Sequence, residues 1–297
     1  MRAMYRSTLG GLTVDYSVSD SHVYTEAAWI ILKASNNVEF LRYACQDSRD
    51  GSFPTWVPAW TAPTHIPEQL YKFSPATLSQ TVISDVDDST SRTLKFKGLR
   101  VDKATSSISK RFPTISVSLY GFSRALDLNL VGDAFAVFRV WVQAMGLESN
   151  QDPRLRKIAS LISQTSSGKG RVLNVTDWLL KIRHENEFGI EGLLEFFRAG
   201  KDYDARKITC DFSRLVSGRW LFTTESGGIG MSTLEVHEGD EVALFTGERL
   251  PYLIRKSPEH AGKHTLVAPC WISDAIGGEP WPGWSGQVED LEDIELV

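Results

Sequence analysis

The chain predicts an α+β fold: antiparallel hairpins forming a small barrel-like sheet over about 75–101 and 218–272, a helical insertion over about 131–215, and an N-terminal helix over about 20–35. Three observations carry this. Between Gly218 and Arg255 three glycine turns fall inside fewer than forty residues, each flanked by alternating apolar positions, the pattern of short antiparallel strands. Val23, Ala27, Ile30, Ile31 and Ala34 recur at helical spacing. Phe135, Phe138, Val142 and Met145 do so again in the middle of the chain, which separates helix-rich from strand-rich stretches.

Taken in order, Ser19 or Asp20 caps the first helix and Asn36-Asn37 ends it. Val38 to Cys45 reads as a strand. Phe53-Pro54-Thr55-Trp56-Val57-Pro58-Ala59-Trp60 follows, and its prolines fix φ and withhold backbone donors, so an irregular extended segment is expected. Trp56 and Trp60 either plug the core or stack on a ligand. Thr77 to Ile83 and Thr93 to Val101 form a hairpin around the acidic turn Ser84 to Ser89. That turn lacks the residue order of a calcium loop. Leu94 and Phe96 differ in parity from Leu99 and Val101, which predicts a β-bulge at Gly98.

Asp152-Pro153 reads as an N-cap followed by proline at the first helical position. Asn174 or Thr176 starts a further helix, and Ser163 to Arg171 is polar and flexible in composition. In the strand-rich part, Gly227 and Gly228 are expected to supply positive φ to a hairpin turn. Gly239-Asp240 makes the second turn, Gly247 to Pro251 the third, and Gly278-Glu279 a turn after the aromatic strand at Trp271. Residues 1–287 read as one domain. The tail 288–297 carries five acids between Glu289 and Glu295 and is expected to be solvated and disordered.

Composition narrows function. The 297 residues are 42% hydrophobic and 23% charged with net charge −5, a balance that can bury a large core and offers no general attraction to nucleic acid or an anionic membrane. No apolar run approaches the roughly 20 residues of a membrane span. Cys45, Cys210 and Cys270 are odd in number and widely spaced, which fits free thiols in a reducing, cytoplasmic setting.

Phosphate-loop, nucleophile-elbow, dinucleotide and His-Glu-x-x-His motifs do not occur in the chain. His237, His260 and His264 near Asp240 could meet across strands as a metal site, but Pro258 and Gly262 argue against one helical face, so neither metal nor cofactor is expected. Contact residues, for another protein or a small hydrophobic ligand, are expected at Trp56, Trp60, Trp220 and Trp281. The last either folds back on the body or forms an exposed aromatic handle.

Arg219, Phe222 and Thr224, then Gly228-Ile229-Gly230, Gly239-Asp240, Val242 and Pro251-Tyr252 with Arg255, resemble the segment that follows the HET domain in fungal heterokaryon incompatibility proteins. Pro54-Thr55-Trp56-Val57-Pro58-Ala59-Trp60 resembles that family's Pro-Ser-Trp-Val-Pro-Asp-Trp. Leu9-Gly10-Gly11-Leu12 with Asp15-Tyr16-Ser17 is similar to the lead into its first helix, in shortened form. Asp274 and Ile276 depart from its closing Gly-x-Met-x-Gly-Glu turn. The resemblance implies self/nonself recognition linked to programmed cell death, in a chain without the HET effector domain and without nucleotide hydrolysis of its own. Two other readings stand beside it: an enzyme of cyclase or isomerase type in fungal secondary metabolism, and an inactive truncated product.

Overall fold

The computed structural model describes residues 17–35, 38–44, 53–58, 60, 92–108, 153–154, 157, 218–248, 250–273 and 288–297. The expected strand at 77–83, most of the helical insertion, Cys45, Cys210, Gly278, Glu279 and Trp281 lie outside them. Pro153, Arg154 and Lys157 are helical, in line with the proline-led start expected there.

Helix α1 spans Asp20–Ser35. Ser19 is its cap, because the His22 amide donates to Ser19 Oγ at 3.3 Å, satisfying one of the first-turn donors. Its buried face is Thr25, Ala28, Trp29 and Leu32, not the stripe from Val23 to Ala34, and Ala34 is exposed. The large Trp29 ring sets the rotation by packing edge-on against Trp56, centroids 5.3 Å apart. Residues Glu39–Tyr43 form a 3₁₀ helix instead of the expected strand.

Among the described residues seven strands follow: β1 Leu94–Ile108, β2 Trp220–Thr224, β3 Ile229–Ser232, β4 Glu241–Phe245, β5 Tyr252–Lys256, β6 His264–Ile272 and β7 Glu292–Leu296. Their order is β2-β3-β6-β5-β4-β1-β7, with further pairings of β2 to β1 and β6 to β7. Six strands therefore close a ring, β2-β3-β6-β5-β4-β1 and back to β2. With α1 beside this sheet the class is α+β, as the alternation and the helical period predicted. One edge of β1 lines β4, and the other lines first β7 and then β2.

Ala104, Phe222, Val242, Leu244, Leu253, Ala268, Cys270 and Ile272 form one buried cluster. Five of the six ring strands contribute to it, which makes it the inside of the ring. On the opposite face Phe96, Phe245 and Tyr252 stack in series at 5.2 and 5.4 Å. Residues of β4 are thus buried on both faces.

The bulge lies elsewhere than expected. Register slips between Arg100 and Asp102 against β4, and between Ala104 and Ser106 against β2, where the long strand must turn to serve successive partners. Gly98 is in regular pairing with Phe245 on one side and Glu292 on the other. It is glycine because of crowding: a Cβ there would lie 2.6 Å from Leu244 O and 2.9 Å from Ile294 Cδ1. The β2–β3 hairpin forms as expected, yet only Gly227 has positive φ, at 81°. Gly228 is buried and in the ordinary φ range, its amide donating to Thr224 Oγ1 at 2.9 Å. Gly239 (φ 86°) and Gly247 (φ 80°) make the next two turns.

The acidic tail is a correction. Residues 292–296 form β7, antiparallel to β1 from Leu94↔Leu296 to Gly98↔Glu292. Leu291, Ile294 and Leu296 are buried, while the acids between them meet bases: Lys97–Asp293 at 2.9 Å, Lys95–Asp293 at 3.3 Å and Lys263–Glu295 at 3.7 Å. Opposite charge on the neighbouring strand removes the repulsion that made the tail read as solvated.

Candidate functional site

The proline-flanked segment is a clamp with one exposed end. Pro54 accepts the Val57 amide at 3.1 Å, and the Thr55 amide donates to Val297 O at 2.9 Å. The Thr55 hydroxyl also donates to Val297 O and accepts the Leu266 amide. Trp56 is fully buried, and its indole N–H donates to Arg92 O at 3.0 Å. It therefore belongs to the core, which removes it from the expected contact residues.

Trp60 is 43% exposed, one of two large exposed hydrophobic residues among those described, with Tyr43 at 42%. Its ring stands edge-on to Tyr24, centroids 5.5 Å apart, and Tyr24 stacks on Phe53 at 5.7 Å. Trp220 opens β2 opposite Ser232 and is half-buried. Of the three expected contact tryptophans among the described residues, Trp60 alone stands on an exposed aromatic patch.

Charge gathers where β1, β4, β5, β6 and β7 meet. Arg100 holds Glu292 by Nε at 2.8 Å and Nη2 at 2.6 Å, and reaches Glu241 by Nη1 at 3.2 Å. Glu241 is buried, with Lys256 Nζ 3.7 Å and His264 Nε2 3.3 Å from its carboxylate. His264 Nε2 faces the carboxylate without an aligned hydrogen bond at either ring nitrogen. Burial lowers the His264 pKa, Glu241 opposes this, and Arg100 and Lys256 add to it. A neutral imidazole beside a carboxylate has the form of a proton-transfer pair. Here the carboxylate is already shared by two cations, so its first effect is to tie strands together.

A second buried network joins the 3₁₀ helix to the sheet. Arg42 Nη2 donates to Glu248 Oε1 at 3.1 Å and Tyr252 OH to Glu248 Oε2 at 2.7 Å. Burial raises the Glu248 pKa against the opposing pull of Arg42. Asp240 is a turn anchor, accepting the His237 amide at 2.8 Å and both arms of Arg255 at 2.7 and 2.8 Å. Arg219 lies over the Trp271 ring at 4.0 Å, a cation–π contact.

The three histidines do not meet: His237 and His260 are exposed in separate turns, and His264 is buried against Glu241. Among the described residues no group of three or more His, Cys, Asp or Glu could hold a metal ion, and no helix is long and apolar enough to cross a membrane. Sequence reasoning missed Thr55, Glu241 and Glu248, whose roles depend on partners far along the chain.

No family model, no curated protein and no solved structure matches this chain.

Proposed function

We propose that this chain is a cytoplasmic recognition module of the fungal heterokaryon incompatibility type, acting by contact with a partner protein through the aromatic surface around Trp60. The observation that carries the reading is the exposure of Trp60 on the Tyr24–Phe53 stack. Tryptophan and tyrosine held rigidly at a surface offer a large apolar contact at small entropic cost. The roles of Trp56 and Asp240 support the resemblance, because two of its motif residues are ones the fold needs.

The test is cross-linking mass spectrometry on the full chain expressed in a fungal host, comparing wild type with Trp60→Ser. A contact centred on residues 24, 53 and 60 that the variant loses supports the reading. Identical cross-link maps overturn it.

The enzyme alternative rests on the His264–Glu241 pair. The expectation that the chain has no nucleotide hydrolysis of its own is tested by incubating purified protein with NAD and following nicotinamide release. Turnover abolished by His264→Asn or Glu241→Gln, in a variant that still folds, would put catalysis first.

A further inference from the structure

The six-strand ring closes without β7, because β1 pairs directly with β2 through residues 104–108. β7 fills a separate slot, one strand wide, between the first half of β1 and the start of β6. Its ladder runs antiparallel to β1 over five residue pairs and meets β6 in a single parallel bridge, His264↔Leu296. At its end the Val297 amide donates to His264 O at 2.9 Å, and Val297 O accepts from Thr55. Without an occupant, main-chain groups of residues 94–98 would form an open edge, which favours pairing with another strand.

The slot has a defined chemistry. It buries apolar side chains at the positions of Ile294 and Leu296. Lys95, Lys97, Arg100 and Lys263 rim it, and each meets an acid of β7.

We infer that this slot is an acceptor for an extended acidic segment of a partner protein, with β7 as the internal strand that such a segment displaces. The partner segment has apolar residues two apart, as at 294 and 296, with acids at the positions of Glu292, Asp293 and Glu295. Strand addition supplies affinity through the main chain, and the basic rim selects the acids. Since the ring is complete without it, β7 can leave while the other strands stay paired. Because β7 belongs to the same chain it competes as an intramolecular strand, so a free segment competes only when β7 is weakened. This surface uses different residues from the Trp60 patch, and the two adjoin at Thr55, which holds Val297 and lies in the segment that carries Phe53 and Trp60.

The experiment uses the full chain and a fluorescent synthetic peptide with the sequence of residues 288–297. Asp293→Lys places a cation against Lys95 and Lys97 and loosens β7 without opening a cavity. Anisotropy should report peptide binding to Asp293→Lys about tenfold tighter than to wild type, the scale of two surface ion pairs lost and repulsion added. Binding should fall at high salt and vanish when the peptide carries Asp in place of the residue at 294. Equal binding to both chains, or equal binding of a scrambled peptide, overturns the inference.

Hydrogen exchange on the wild-type chain is the second measurement. Amides of 294–296 should exchange by an opening that leaves 252–256 and 266–270 protected. Exchange of all three segments in one step would mean that β7 never leaves alone, and the inference fails.

Discussion

Arg100 grips Glu292 with two guanidinium nitrogens, at 2.8 and 2.6 Å, and also donates its backbone amide to the same carboxylate at 3.0 Å. This bidentate contact locks the first residue of β7 to the middle of β1, the longest of the described strands. The hydrogen bonds from Arg100 hold Glu292 below the usual carboxylate range. A lowered carboxylate pKa stabilises the fold above the unfolded-state value, and that stability is lost as pH falls through the lower folded value. Urea midpoints measured from pH 7 down to pH 3 should therefore fall less steeply for Glu292→Gln than for wild type. At pH 7 the variant should be destabilised by about 0.5–1 kcal/mol, the scale of a well-formed surface pair.

His264 acts in a second acid window, nearer neutrality. Burial lowers its pKa, so the unfolded chain takes up the proton first as pH drops below the ordinary value of about 6.5. Stability should decline as pH falls from 6.5 toward the lower folded value. His264→Asn should flatten that stretch of the curve, and an unchanged slope in denaturant midpoints would show that the imidazole titrates normally.

Trp56→Ala should cost about 3–5 kcal/mol, as a fully buried indole leaves a large cavity and the hydrogen bond from the indole to Arg92 O is lost. Trp220→Ala should cost less, about 1–2 kcal/mol, because that ring is half-exposed. Guanidinium unfolding of the two variants checks the order.

Gly230 lies opposite Phe222 with the ring over it, and a Cβ there would come within 2.2 Å of Phe222 Cζ. Gly230→Ala should destabilise by about 1–3 kcal/mol through forced displacement of the ring. The double variant with Phe222→Leu should recover part of that loss, which a thermal-unfolding cycle measures.

Tyr252→Phe removes a 2.7 Å hydrogen bond to the buried Glu248 carboxylate and should cost about 1–3 kcal/mol. Glu248→Ala leaves the buried Arg42 with only the partly exposed Glu39 carboxylate, 3.7 Å away, and should cost about 3–5 kcal/mol. Equal midpoints for both variants would contradict the network.

The sequence by itself determined the parts governed by neighbours in the chain. Alternation and glycine turns placed β2 through β5, because a hairpin needs only a short-range turn and a period of two. Ser19 and the apolar period placed α1 for the same reason. Only the tertiary structure decided what long-range partners decide. The face α1 buries follows from Trp56, not from its own mean apolar direction. Residues 39–43 are 3₁₀ because Phe40, Leu41 and Arg42 are buried together. Gly98 is crowded by β4 and β7, a contact no local pattern displays. The acidic tail became a strand because its bases lie in β1 and just before β6, as in Arg100 and Glu292, 192 positions apart. Charge density is legible in one dimension, and its neutralisation exists only in three.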